Sequence, residues 1–356
     1  MSSKEDGKVW SLGGIEIDLR RWVPMLVILV ALLGLVFIIA DWEQIVTAVE
    51  RADWRLLPYA LGATVISYLC IGLSFAQVSR LLGVSMRRRD LAVVGFVSAV
   101  LNNIVMSGGA AGYSVRFMLM NRHGVTMREV IAISILHFYL TSLFMIAMLP
   151  VGLLYIGLNA AISQTSTVFL ALSALVLLLV AGLATAVIFR GSLRQRVTGL
   201  LVKATHSLLG RDISGPLARF DATMERGVQA MRRNPWSVAI IVALIIIDWA
   251  CSATALWFCF RAFDITASLG QLVSGFVTGT VTGQAFLLPG GLGMQEASMT
   301  GIFVLFGFAF EKAVLASMLY RVVRSIIPYL ASLGFYRLAL RAEVTDRSSV
   351  PEEGRT

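Results

Sequence analysis

Between Val130 and Phe189 the chain runs for sixty residues without a single Asp, Glu, Lys or Arg. Trp22–Ala40, Leu56–Ser79 and Leu91–Val115 are uncharged in the same way. A helix needs about 20 apolar residues to cross a bilayer, and each of these runs reaches or approaches that length. A chain of 356 residues has the length for two or three soluble domains, but 57% hydrophobic and only 14% charged residues do not suit them. The fold class is therefore all-α, a polytopic helical membrane protein. A secreted disulfide scaffold and a nucleic-acid binder drop out, and the net charge of +9 bears on membrane orientation and anionic lipid.

Six full spans are predicted at Trp22–Ala40, Leu56–Ser79, Val130–Tyr155, Val168–Phe189, Trp236–Phe260 and Ala313–Tyr336. Two more apolar stretches, Leu91–Met120 and Leu269–Phe310, carry glycine clusters at their centres. They are expected to enter and leave on one side, as re-entrant hairpins or as pairs of short broken spans. Both termini are then cytoplasmic, and 24 of the 30 Lys and Arg residues fall inside. A single crossing at Leu91–Val115 would instead put the nine positive charges of the central loop outside, against the positive-inside rule. Trp22–Ala40 is too long for a signal sequence, lacks a small-residue cleavage site and reads as a retained anchor in a cell inner (plasma) membrane.

The expected layout is a cytoplasmic tail over 1–21, one membrane domain over 22–340 and a disordered tail over 341–356. Within the linker 190–235, Val197, Leu200, Leu201, Ala204 and Leu208 form one helical stripe. Leu217, Phe220, Met224, Val228 and Met231 form another. Two amphipathic helices, on the inner leaflet or packed on each other, account for them.

The halves repeat. Trp54 matches Trp236, and Gly95-Phe96-Val97-Ser98 matches Gly275-Phe276-Val277-Thr278. Ser107-Gly108-Gly109-Ala110-Ala111-Gly112 matches Pro289-Gly290-Gly291-Leu292-Gly293, and Arg128-Glu129 is echoed by Glu311-Lys312. The offset stays near 180, and the unit is span, glycine-centred hairpin, span, over about 52–155 and 234–336. By the charge count the first copy starts outside and the second inside, which makes an inverted repeat, the plan of many secondary transporters.

A chain that turns inside the membrane exposes N–H groups that hydrocarbon cannot satisfy, so it must lie against protein or a polar cavity. Glycine permits such turns and close approach of a ligand. Pro289 stops the incoming helix, and a new helix starting near Met294 offers N–H donors to an anion. Close packing of helices on small residues explains the same glycines equally well.

Leu288-Pro289-Gly290-Gly291-Leu292-Gly293-Met294-Gln295-Glu296-Ala297, followed by a span with Tyr320-Arg321, resembles the flippase-like membrane region of lysylphosphatidylglycerol synthases. The same module occurs in stand-alone proteins, and the resemblance runs from about Trp22 to Leu340. It implies movement between leaflets of a lipid with an anionic headgroup, an aminoacylated phospholipid or a polyprenyl-phosphate sugar. The soluble aminoacyl-transfer domain of two-domain members has no counterpart before Thr356, so synthase activity is not expected. Ser107-Gly108-Gly109 lacks the proline of the second glycine element.

Candidate substrate-binding residues are Gly108, Gly109, Arg116, Pro289, Gly290, Gly291, Gly293, Glu296, Arg321 and Arg324. Candidate coupling residues are Asp248 and His137. A carboxylate at mid-membrane costs roughly 2.5–3.5 kcal/mol on insertion scales. Asp248 is thus a proton relay, a cation partner or one half of a structural ion pair. Glu296 either complements a helix dipole, binds a cationic headgroup or couples to protons. Arg321 and Arg324, three apart, coordinate a phosphate or neutralise Asp248 and Glu296. Arg116 lies where the second unit presents Gln295-Glu296, and His137 is either a packing histidine or a proton carrier.

Cys70, Cys251 and Cys259 read as small buried hydrophobes, and the three histidines have no metal-ligand spacing, so neither metal nor cofactor is expected. A lipid-modifying membrane enzyme lacks any triad or paired carboxylates at suitable spacing. An accessory partner for a separate transferase, docking through the basic linker, is the alternative to a lipid translocase.

Overall fold

A computed structural model of the chain describes residues 10–12, 15–17, 42–102, 110–209, 214–285 and 293–332. The expected first span, the centres of both glycine-rich stretches and the C-terminal tail lie outside these residues.

A two-stranded antiparallel pair, β1 (Trp10–Leu12) and β2 (Ile15–Ile17), precedes twelve α-helices among the described residues. These are α1 (Trp42–Glu50), α2 (Leu57–Leu81), α3 (Arg88–Asn102), α4 (Ala110–Asn121), α5 (Met127–Asn159) and α6 (Gln164–Phe189). They continue as α7 (Gly191–Leu209), α8 (Ser214–Arg233), α9 (Pro235–Ala262), α10 (Leu269–Ala285), α11 (Met294–Leu305) and α12 (Phe310–Arg321). A π-helical turn, Val322–Ile326, extends α12 toward Ser332. Five segments are long and apolar enough to cross a membrane: Trp54–Leu81, Met127–Asn159, Gln164–Phe189, Pro235–Ala262 and Phe310–Ser332. They correspond to five of the six expected spans, and each glycine-centred stretch contributes two shorter helices.

Local chemistry sets the helix starts. Pro58 and Pro235 stand in the first turns of α2 and α9, where a missing N–H costs nothing. The Thr126 N–H donates to Glu129 Oε2 at 2.8 Å at the start of α5. Ser163 Oγ accepts the Ser166 N–H at 3.2 Å at the start of α6.

Burial then separates lipid-facing from protein-facing helices. On α6, Phe169, Leu172, Leu175, Val176, Leu179 and Leu183 are all exposed and only Ala174 is buried. Hydrocarbon solvates such a surface, so α6 is an outer helix packed mainly on α5. The core divides in two. Phe75, Leu91, Val94, Met120, Ile133 and Leu136 gather around α2–α5. Leu256, Phe260, Phe276, Met299, Phe303 and Tyr320 gather around α9–α12. The two groups meet because α9 lies along α2 and α10 packs against α5.

The linker resolves into α7 and α8. Val228 and Met231 of α8 enter the α2–α5 core, so this stripe faces the helical body rather than lipid. Arg194 of α7 is buried, paired with Asp221 and Glu225, and donates to the Ile188 carbonyl at the end of α6 at 2.7 Å. The Arg194 guanidinium, hydrogen-bonded to Glu225, holds that carboxyl below its ordinary range.

Candidate functional site

The final span carries two arginines that meet different partners. Arg321 Nε donates to Glu296 Oε1. Glu296 stands in the first turn of α11, and its Oε2 accepts the Gly293 N–H at 2.8 Å. Gly293 has φ +81°, the left-handed region that favours glycine at a sharp entry to a helix. One Glu296 oxygen thus serves the helix terminus and the other the arginine.

Arg324, one turn later, lies with its guanidinium carbon 4.3 Å above the centre of the Tyr68 ring. Its Nη2 is 3.7 Å from Asp248 Oδ1, within ion-pair range but too far for a hydrogen bond. Its Nη1 is buried and has no hydrogen-bond partner among the described residues. Asp248 of α9 is only 5% exposed and accepts a hydrogen bond from Ser67 Oγ of α2. Ser67 Oγ lies 3.1 Å from Ser252 Oγ, one turn along α9. The carboxylate therefore rests on a hydroxyl, with the arginine held nearby by an aromatic face.

The backbone here is arranged around a proline. Pro328 has no N–H to donate to the carbonyl four residues earlier, which is that of Arg324. Tyr68 Oη supplies the missing donor at 2.8 Å. The ladder shifts to a π turn over the same residues, the local adjustment by which a helix accommodates such a break.

Arg116 and His137 form a separate cluster. Arg116 of α4 is 7% exposed, donates from Nε to Ser98 Oγ at 2.8 Å and lies 4.6 Å over the Phe75 ring. No carboxylate among the described residues pairs with it. His137 of α5 is buried, 2.9 Å from Ser74 Oγ through Nε2 and edge-on to the Phe75 ring. That is the setting of a packing histidine, and it is not among the contacts of Asp248. Gly108, Gly109, Pro289, Gly290 and Gly291 lie outside the described residues.

Helix α2 is the spine of both clusters. Ser67 faces Asp248 and Ser74 faces His137, seven residues and roughly 10.5 Å apart at about 1.5 Å per residue. Neither serine nor Tyr68 was legible as a site residue. The only signal was polar residues at i and i+7 on one face of an apolar span.

A family model described as the lysylphosphatidylglycerol synthase TM region matches residues 22–332. The chain belongs to this family. Two relatives, each named UPF0104 membrane protein, come from Methanothermobacter thermautotrophicus. One is 24% identical over 281 residues, covering 76% of this chain and 81% of the relative. The other is 34% identical over 74 residues, covering 21% of this chain and 22% of the relative. For a member of the lysylphosphatidylglycerol synthase TM region family, both arginine pairs fall inside the matched span, as do Arg116 and His137.

Apolar space lies beside the pairs. A cavity of about 590 Å³ is lined by Phe144, Trp249, Ala253, Trp257, Leu272 and Phe276, among others on α5, α9 and α10. Phe276 is its shared wall, 5.2 Å from Trp249 and 6.2 Å from Tyr320 between ring centres. Tyr320 in turn precedes Arg321, so aromatic contacts connect a wall of the apolar space to the span that carries both arginines.

Proposed function

We propose that this chain moves a phosphate-bearing lipid, an aminoacylated phospholipid or a polyprenyl-phosphate-linked sugar, between the leaflets of the plasma membrane. In this reading it is a translocase and not an enzyme, its two units are inverted copies, and its termini are cytoplasmic. The observation that carries the reading is Arg324: a cation on a membrane span whose buried Nη1 has no partner among the described residues and whose carboxylate neighbour is beyond hydrogen-bond distance. A phosphate offers acceptor oxygens that a planar guanidinium fork engages in pairs. The Arg321–Glu296 pair keeps a second cation within the same span without leaving it uncompensated. The neighbouring apolar cavity suits a hydrocarbon chain while the headgroup meets the arginines.

Arg324→Gln is expected to abolish lipid transfer in reconstituted vesicles, followed with a fluorescent phospholipid, with the yield of folded protein near normal. Arg324→Lys should restore transfer only in part, because the planar fork is lost. A fall in yield for Arg324→Gln, cured with transport intact by adding Asp248→Asn, would make the arginine a counter-ion and reject the headgroup site.

A further inference from the structure

We infer that Asp248 and the lipid phosphate compete for the Arg324 guanidinium, so that each headgroup entering the site places one proton on Asp248 and travels with it. This rests on the phosphate-lipid reading above.

The geometry of the unloaded site is that of a weak contest. Arg324 is seated on the Tyr68 ring and not clamped by Asp248, from which Nη2 stands 3.7 Å away. Its Nη1 has no hydrogen-bond partner among the described residues. A phosphate approaching that edge meets unused donors and needs only to displace a loose ion pair. Asp248 would then be a carboxylate in a 5% exposed position with its cation taken. A buried charge without a counter-ion neutralises by changing its protonation state.

Among the described residues, no other group near Asp248 replaces the lost cation. Those that face it are Cys70 from α2, Tyr320 from α12, Arg324 from the π turn and Cys251 from its own helix, while Tyr68 of α2 lies beneath the Arg324 guanidinium. Of these, Arg324 is the one cation. Arg321 is bonded to Glu296. Ser67 donates to the carboxylate and Ser252 lies beside Ser67, but a hydroxyl carries no positive charge and cannot stand in for the arginine.

The charge balance closes. Unloaded, the site holds the Arg324 cation and the Asp248 anion. Loaded, it holds the Arg324 cation, one phosphate negative charge and a neutral carboxylic acid. The proton comes from water on the side where the lipid enters, forming an O–H bond on Asp248. When the phosphate departs on the other side, Arg324 turns back to Asp248 and the proton passes to water there. The site carries no net charge in either state, which a low-dielectric interior favours.

The test is proton uptake during binding. Purified protein in weakly buffered detergent solution is titrated with dioctanoyl phosphatidylglycerol and, separately, with a farnesyl-phosphate-linked hexose, both phosphodiesters with one negative charge, a pH indicator reporting protons taken up. About one proton per bound lipid is expected, with affinity falling as pH rises. Asp248→Asn should bind with no uptake and with affinity flat across pH. Ser67→Ala should keep the uptake but move the pH at which binding weakens upward, since the charged carboxylate loses a donor. Lipid binding without uptake in the wild type, or uptake persisting in Asp248→Asn, overturns the coupling and leaves the phosphate-lipid reading standing. Should Asp248→Asn not fold, an unmoved pH midpoint in Ser67→Ala overturns the coupling by itself. Folded wild-type protein that binds neither lipid overturns both.

Discussion

Tyr68 holds Arg324 at both ends. Its hydroxyl satisfies the Arg324 carbonyl, and its ring lies under the Arg324 guanidinium. The first contact exists because Pro328 cannot donate, which ties a residue on α2 to a proline 260 positions away. A buried carbonyl left without its donor costs about 1–3 kcal/mol. Tyr68→Phe is therefore expected to destabilise the protein within that range in a thermal melt, because the phenyl ring keeps its place under the guanidinium while the hydroxyl goes. In a Pro328→Ala background, residue 328 has an N–H again and the same change should cost less. Equal costs in the two backgrounds would show that the hydroxyl does not stand in for the missing helix bond. A proline on a span is visible in the sequence, but a tyrosine among apolar neighbours carries no mark of the carbonyl it will meet.

Close helix approach is the matter at the scale of elements. Gly95 of α3 packs so tightly on α2 that an added Cβ would stand 2.7 Å from the Phe75 Cβ. Phe75 is the ring on which both Arg116 and His137 rest, so this contact sets the depth of α3 and α4 against α2 and α5. Gly95→Ala should push the two helices apart and destabilise the protein by about 1–3 kcal/mol, as overpacking does. Gly62 of α2 has nothing within 4 Å of an added Cβ. Gly62→Ala should be neutral or stabilising by up to about 1 kcal/mol on helix propensity alone. Unfolding midpoints in a mild detergent compare the two, and a Gly95→Ala protein as stable as the wild type would remove the close-packing explanation. The sequence singled out Gly95 through its repeat at Gly275, without showing which helix it would touch.

For the molecule as a whole, the order long helix, two short helices, long helix occurs twice, as α2 to α5 and as α9 to α12 with its extension. The core is divided between the two sets, and α9 and α10 cross over to pack on α2 and α5. The positive-inside count predicts that the first set starts outside and the second inside. Cysteines placed at the exposed positions Arg51 and Arg233, just before the two sets, test this. A membrane-impermeant maleimide on intact cells should label Arg51→Cys, and Arg233→Cys only after the cells are opened. Labelling of both from one side would make the two sets parallel and end the inverted-repeat proposal.

What the sequence determined follows from the solvent. In hydrocarbon every backbone N–H must be satisfied within its own segment, so a span is a local property and an uncharged run such as Val130–Phe189 announces itself without reference to any partner. The same condition marked Asp248, Arg321 and Arg324 as residues that need company, because a charge on a span is costly alone. It did not say which company. Glu296 joins Arg321 across 25 residues, Ser67 joins Asp248 across 181, and the Tyr68 hydroxyl reaches the Arg324 carbonyl across 256. Nor did it separate His137 from Asp248, the two candidates for coupling, which α2 holds in different clusters. Such pairings are decided by which faces of α2, α9 and the final span meet, and that is a consequence of packing that no local pattern encodes.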